Sequence, residues 1–253
     1  MDNLYNNNSY TEADAKPKLI KKTLFSSSMM WFAIDLIIAL VSGFIFSSIT
    51  PIVNFVYNTI AGSITIIVAA VVLIVLLFVF NSQRNKYKVK SMIVTSIISM
   101  ILLGFTVLMS VCYAIKINTS LENPSFLLAV FLIPAAFMFF MGLIGALNLI
   151  KIKIVYPLMI IAFLALLISS IVSWFIFNNT LEIVIVCLGI VLTALYMAID
   201  WFIMLKTNKK LNEMLDSEYK RKEILVSGIY FGLHFAFDYV YMLAYIARLL
   251  GRK

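Results

Sequence analysis

Residues 62–80 read GSITIIVAAVVLIVLLFVF, an apolar run without a single charged residue. A helix needs about 20 apolar residues to cross the ~30 Å hydrocarbon core of a bilayer. A strand of a membrane β-barrel would instead alternate polar and apolar residues, and the stretch from Ile64 to Phe80 shows no such alternation. The run therefore predicts a transmembrane helix.

The same kind of run recurs along the whole chain. The predicted spans are 29–49, 62–80, 91–115, 126–150, 155–177, 181–205 and 228–250. Only 13% of the 253 residues are charged and 63% are hydrophobic, whereas a soluble domain carries roughly 25% charged residues. The predicted fold class is an all-α membrane protein, a bundle of seven transmembrane helices.

The positions of the basic residues predict how the chain is oriented. Residues 1–28 form a polar N-terminal tail that contains no short apolar core with a cleavage site, and residues 29–253 form the transmembrane domain. The tail and the connections 81–90, 151–154 and 206–223 hold 16 of the 20 basic residues. Two spans separate each of these segments from the next, so all four would lie on the same side of the membrane. The positive-inside rule therefore places the N-terminus in the cytoplasm and the C-terminus outside.

The end of the chain departs from that rule. Arg248, Arg252 and Lys253 follow the seventh run and would lie outside. The seventh segment therefore either crosses fully or is re-entrant. Between the sixth and seventh runs, Leu211 and Tyr219 belong to an apolar set at helical spacing, which predicts that 206–227 is an amphipathic extension resting on lipid headgroups.

Composition also limits the partners and cofactors. The formal net charge of +8 is concentrated at helix ends, which favours membrane lipid over nucleic acid as the partner. Cys112 and Cys187 lie in predicted spans and have neither a disulfide nor a metal-ligand spacing, so no cofactor is expected. The abundance of Ile, Asn and Lys suggests an AT-rich genome, and hence a bacterial plasma membrane.

Ionisable residues inside the predicted spans are the main functional signal. They are Asp35, Asp200, His234 and Asp238. A charged side chain in the bilayer costs a few kcal/mol, so such residues usually face the interior of the bundle and mark ion or proton pathways.

The polar residues of the seventh span share one face of a helix. At a rotation of 100° per residue about the helix axis, six polar residues lie within about 80° of Asp238: Ser227, Tyr230, His234, Tyr241, Tyr245 and Arg248. A similar arc of the sixth span carries Gly189, Thr193, Tyr196 and Asp200. Because neighbouring helices turn their polar faces towards each other, Asp200 and Asp238 are expected to meet in the cytoplasmic half of the membrane.

Two close carboxylates in a medium of low dielectric cannot both ionise easily, so Asp200 and Asp238 are expected to share a proton. Such a pair would act as a proton-sensitive latch and could hold Ca²⁺ transiently through its oxygens. His234 either only hydrogen-bonds Asp238 one turn away or tunes it near neutral pH. Asp35 is interpreted as structural, reaching the headgroups or the Lys21–Lys22 pair.

The final segment GLHFAFDYVYMLAYIARLLGRK resembles the Bax inhibitor-1 family (TMBIM), including its bacterial YetJ- and YccA-type members. In that family an aspartate in an aromatic and aliphatic setting is followed about three turns later by arginine and a Leu-Leu-Gly-like end, which correspond here to Asp238, Arg248 and 249–251. The segment LYMAIDWFIML, with Asp200, is similar to the family's other aspartate-containing helix, and KLIKKTLFSSSMMWF is similar to its first helix.

This resemblance implies a seven-helix fold and a pH-sensitive calcium leak gated by Asp200 and Asp238, with Ca²⁺ as the permeant ion. Two features depart from the family. The connection between the two acids is longer, and the predicted span 62–80 lacks the basic residue of an early helix that often latches the acid pair. Either Arg248 or His234 substitutes for that residue, or the latch is absent.

Other functions remain open at this point. Intramembrane acids also mark the substrate path of a secondary transporter or small-molecule uptake subunit. An intramembrane aspartyl protease would use one acid as base and the other as acid. That family needs a Gly-x-Gly-Asp element, whereas Phe235, Ala236 and Phe237 precede Asp238. The chain is therefore not expected to be an enzyme.

Overall fold

The computed structural model describes residues 23–118, 124–147, 152–173, 175–176, 178–214 and 217–251, and these parts of the chain form helices and short connections without a strand. In chain order the helices are α1 (Leu24–Ser48), α2 (Thr50–Asn58), α3 (Ile60–Asn85), α4 (Val89–Leu103), α5 (Met109–Asn118), α6 (Pro124–Ala146), α7 (Ile152–Ser173), α8 (Asn179–Glu213) and α9 (Glu218–Leu250). A π-helical turn, Gly104–Leu108, joins α4 to α5.

Seven helical runs in the described residues are long and apolar enough to cross a membrane. They are α1, α3, the continuous run Val89–Lys116, and the long helices α6 to α9. All seven coincide with the predicted spans, so the prediction of a seven-span helical membrane protein is confirmed at that level. The helices α3 and α7 have few buried residues and leave apolar side chains on the outside, as contact with lipid requires.

The second span is longer than the predicted range 62–80. The helix α3 continues past Phe80 to Asn85 because the intervening Asn-Ser-Gln-Arg contains no helix breaker. The chain turns only at Lys86 and Tyr87, and Tyr87 has a φ of 52°. The second span therefore does carry a basic residue, Arg84, and the expectation that it has none is wrong.

The connection 206–227 is also different from its prediction. The helix α8 runs on to Glu213 and α9 begins at Glu218, so most of this segment extends the two spanning helices instead of forming a separate surface helix. Leu211 is buried. At 1.5 Å per residue each helix is about 50 Å long, well beyond the hydrocarbon thickness. The helix α9 is also unbroken, unlike a re-entrant segment.

The last helix, α9, lies at the centre of the bundle. It is the least apolar of the seven runs and the most buried, and it contacts α1, α3, α4, α5, α6 and α8. A helix that carries acids, a histidine and several tyrosines would be unfavourable in contact with lipid. The surrounding helices therefore shield the polar stripe.

The helix α1 packs tightly between α9 and α4. Gly228 and Gly232 of α9 lie against Ser27 and Trp31 of α1, so close that a side chain at either glycine would overlap its neighbour. Small residues allow this close approach of membrane helices. The contacts proceed in the same direction along both helices, which shows that α1 and α9 are parallel.

Candidate functional site

The helices α8 and α9 bring the predicted acids together. Gly189 packs against Tyr245, and Trp201 lies 5.0 Å from Phe235 between ring centroids, so the two helices are antiparallel. This arrangement places Asp200 next to the polar stripe of α9, where it interacts electrostatically with Asp238.

Tyr196 completes the cluster from the preceding turn of α8. Both aspartates are among its electrostatic neighbours, and its side chain is partly exposed. The structure therefore brings Tyr196, Asp200, His234 and Asp238 to one place between α8 and α9. We call these four residues the acid cluster.

His234 contacts the other helix and not the acid on its own helix. Its Nδ1 lies 3.3 Å from Oδ2 of Asp200, and the two side chains are 31% and 13% exposed. One prediction from the sequence was a bond from His234 to Asp238, one turn along α9. The structure instead shows His234 in contact with Asp200 of α8. The contact is attractive when a proton lies between the two atoms, carried either by Nδ1 or by the Asp200 carboxyl group.

Asp238 is the least satisfied member of the cluster. Its Oδ2 is enclosed by protein and has no hydrogen-bond partner among the described residues. The carboxyl group of Asp200 is its electrostatic neighbour in this enclosed space. A proton held by the pair removes the repulsion and converts one carboxylate oxygen into a donor.

A cationic and aromatic stack covers the side of the cluster that faces the beginning of α9. The guanidinium carbon of Arg84 lies 3.7 Å from the centroid of the Tyr230 ring, and that ring lies 4.3 Å from the imidazole of His234. Phe80 stacks on the same tyrosine at 6.2 Å. Arg84, Tyr230 and His234 thus form a continuous stack from the end of α3 to Asp200.

Arg84 is the functional residue that the sequence analysis missed. It lies just beyond the predicted end of the second span. The sequence does contain a signal for the longer helix, because no helix breaker precedes Lys86. A helix continued to this position carries the arginine to the same depth as the start of the polar stripe of α9. The contact with Tyr230 follows from that extension.

A second aromatic contact joins the end of α3 to the beginning of α9. The hydroxyl oxygens of Tyr87 and Tyr219 are 3.2 Å apart, and the Lys222 amino group lies 5.8 Å from the Tyr87 ring centroid. Hydrogen bonding to Tyr219, and then to Glu223, raises the pKa of the Tyr87 phenol. These contacts connect the turn that follows Arg84 to the first turns of α9.

The other predicted site residues lie elsewhere. Arg248 is ten residues beyond Asp238, about 15 Å along α9, and its neighbours are Tyr57 and Tyr245. It is therefore too distant to latch the acid pair. Tyr241 has its ring beside Phe237, at 6.2 Å, and its electrostatic neighbour is Tyr245.

Asp35 is not at a headgroup interface. It is 1% exposed, and its Oδ1 accepts a hydrogen bond of 2.8 Å from the Ser96 hydroxyl. The expectation that it reaches lipid headgroups is wrong, because α4 and α9 enclose this face of α1. The alternative partners, Lys21 and Lys22, lie outside the described residues.

The cluster supplies few ligands for a resident metal ion. Among the described residues no group of three or more His, Cys, Asp or Glu side chains is arranged to hold a metal. Two carboxylates offer at most four oxygens, whereas Ca²⁺ takes six to eight oxygen ligands. The donor set suits brief contact with a hydrated cation better than permanent binding.

The chain matches no protein-family model, no curated protein and no solved structure in the three comparisons made. Its class therefore follows from its own helices. Among the described residues, seven long helices, six of them strongly apolar and arranged around the more polar α9, define an integral membrane protein.

Proposed function

We propose that this protein is a pH-sensitive cation leak channel of the Bax inhibitor-1 type, with Ca²⁺ as the permeant ion and Asp200 and Asp238 as its gate. One observation carries the proposal. Among the described residues, an enclosed carboxylate oxygen of Asp238 has no hydrogen-bond partner, while the neighbouring Asp200 carboxylate lies 3.3 Å from the His234 imidazole. A buried acid without a compensating group is rarely retained for packing alone.

The gate works through the number of protons held by the two acids. With one shared proton, α8 and α9 stay together because a hydrogen bond replaces repulsion between two carboxylates. Loss of that proton adds a second negative charge in a poorly hydrated space. The repulsion then favours a separated, hydrated arrangement of the two helices, and the two carboxylates attract cations.

The stack of Arg84, Tyr230 and His234 supports a cytoplasmic entrance at this position. The imidazole is 31% exposed, so protein does not close off the acid cluster on that side. The guanidinium on the Tyr230 ring holds α3 against α9 at the same level. Opening at the acid pair therefore requires movement of this stack.

A secondary transporter is the alternative function that the experiment must distinguish from a leak channel, because substrate-coupled carriers also use intramembrane acids. A leak conducts in vesicles that contain no substrate, whereas a coupled carrier does not. The aspartyl protease hypothesis has no support beyond the two acids, since Phe235 and Phe237 occupy the two glycine positions of its Gly-x-Gly-Asp element.

The decisive measurement is calcium flux from proteoliposomes that contain only calcium and a trapped indicator. The parent, Asp200→Asn, Asp238→Asn and the double variant are compared between pH 5 and pH 8, the interval in which histidine and a shared proton titrate. Asn preserves shape and hydrogen bonding but removes the titrating charge. Each single variant is expected to flatten the pH dependence, and the double variant to add little, because coupled residues are not additive.

Tyr239→Phe is the matched control on the same helix. Its hydroxyl donates to the Phe131 carbonyl at 3.0 Å, away from the acid cluster, so the flux profile should not change. Parental pH profiles in both single Asn variants would exclude the aspartate gate. Absence of any flux from substrate-free vesicles would instead favour the transporter.

A further inference from the structure

A second buried acid lies outside the acid cluster. Asp35, in the middle of α1, is 1% exposed, and its only hydrogen bond among the described residues comes from Ser96. That bond goes to Oδ1. The other oxygen, Oδ2, is enclosed and has no partner in the part of the chain that the structure describes.

The surroundings of Asp35 are polar on one side, and residues 23–118, 124–147 and the later described segments place no cation against it. Ser96 and Ser99 lie three residues apart on α4 and therefore on one face of that helix, and both are buried. The Ser99 hydroxyl has no hydrogen-bond partner among the described residues. Hydroxyl groups can hydrogen-bond a neutral carboxyl group but cannot neutralise a carboxylate.

The titratable groups on neighbouring helices are engaged elsewhere. On α9, Tyr239 places its ring 6.0 Å from Phe32 and donates its hydroxyl to a carbonyl of α6. Asp238 is about 100° around the helix axis from Tyr239 and interacts with Asp200 of α8. His234 contacts Asp200 as well, and Arg84 of α3 lies on Tyr230.

We propose that Asp35 is a second proton-binding site, independent of the Asp200–Asp238 pair, and that its bound proton holds α1 against α4 and α9. An ionised carboxylate in this position would have no compensating charge from the part of the chain that the structure describes, and burying such a group is far more costly than burying a neutral, hydrogen-bonded acid. The packed arrangement of α1 is therefore the protonated one. This inference does not depend on calcium conduction.

The bound proton makes the stability of the bundle depend on pH. In the unfolded protein Asp35 is ionised at neutral pH, so the folded state binds one more proton than the unfolded state. Stability then falls as pH rises through the range in which only the folded state holds the proton, and levels off once that proton is lost. The slope has the opposite sign to that of an acid in a salt bridge.

The test uses full-length protein in detergent with the acid cluster made non-titrating by Asp200→Asn, His234→Gln and Asp238→Asn. Thermal unfolding is followed between pH 5 and pH 8. The Tm is expected to fall by roughly 3 °C per pH unit, the effect of one proton in a chain of this size. Adding Asp35→Asn should abolish the slope. A Tm that does not fall with pH before Asp35 is changed would overturn the proposal.

Infrared spectroscopy provides a test that does not require the Asp35 variant to fold. At neutral pH the same background protein should show the carbonyl stretch of a protonated carboxyl group. Ser96→Ala removes the donor to Oδ1, so this band should move to higher frequency, whereas Thr106→Val, which alters a hydroxyl bonded within its own helix, should leave it in place. Absence of the band, or a band indifferent to Ser96→Ala, would also overturn the proposal.

Discussion

His234→Gln is the change that most directly tests how the acid cluster is tuned. The imidazole Nδ1 lies 3.3 Å from the Asp200 carboxylate, across two helices. An ion pair between partly exposed side chains contributes up to about 1 kcal/mol, and this pair, at 31% and 13% exposure, belongs at the upper end. One pH unit corresponds to about 1.4 kcal/mol.

The expected shift follows from this comparison. An imidazolium beside a carboxylate stabilises negative charge there, and the neutral amide of Gln cannot supply that positive charge. The midpoint of calcium flux should therefore rise by somewhat less than one pH unit, while conduction itself persists. Gln retains a donor near the position of Nδ1, which limits the change in packing.

The assay is the proteoliposome flux described above, with rates measured at half-unit pH steps. Tyr239→Phe again serves as the control, because its hydroxyl contacts α6 and not the acids. A midpoint that stays at the parental value, or that moves to lower pH, would refute the idea that the contact with Asp200 tunes the pair.

Two further predictions concern the stack of Arg84 on Tyr230 and the topology. Arg84→Gln removes a cation from the Tyr230 ring, an interaction of about 1 kcal/mol, and should raise the basal leak about fivefold. The control Arg248→Gln, at the far end of α9, should leave the basal leak unchanged. Equal effects of the two variants would contradict a role for the stack of Arg84 on Tyr230. In a background without natural cysteines, an impermeant thiol reagent should label Asn179→Cys but not Lys86→Cys in intact cells, because basic residues mark the cytoplasmic side. Labelling of Lys86→Cys but not of Asn179→Cys would show that the protein has the opposite orientation.

The class of protein and the number of spans could be predicted from the sequence alone. Runs such as 62–80 contain no charge, and an apolar stretch of that length has few stable environments other than lipid. The single polar stripe of the seventh span was also readable, because helical periodicity fixes which residues share a face. The burial of α9 at the centre follows from that stripe.

Only the tertiary structure decided which neighbour each polar residue meets. Periodicity placed His234 and Asp238 on one face, but the packing of α8 directed the imidazole to Asp200. Asp35 was misjudged for the same reason, since its depth and its contact with Ser96 depend on how α1 packs against α4.

The stack of Arg84 on Tyr230 depended on a helix end that hydrophobicity alone could not locate. Apolar character stops at Phe80, whereas the helix continues until the chain turns at Tyr87. The sequence thus determined which segments are helical and which faces are polar, because these depend on local composition and the geometry of one helix. The partners in the site depended on the rotation and offset of neighbouring helices, which are set by the packing of the whole bundle.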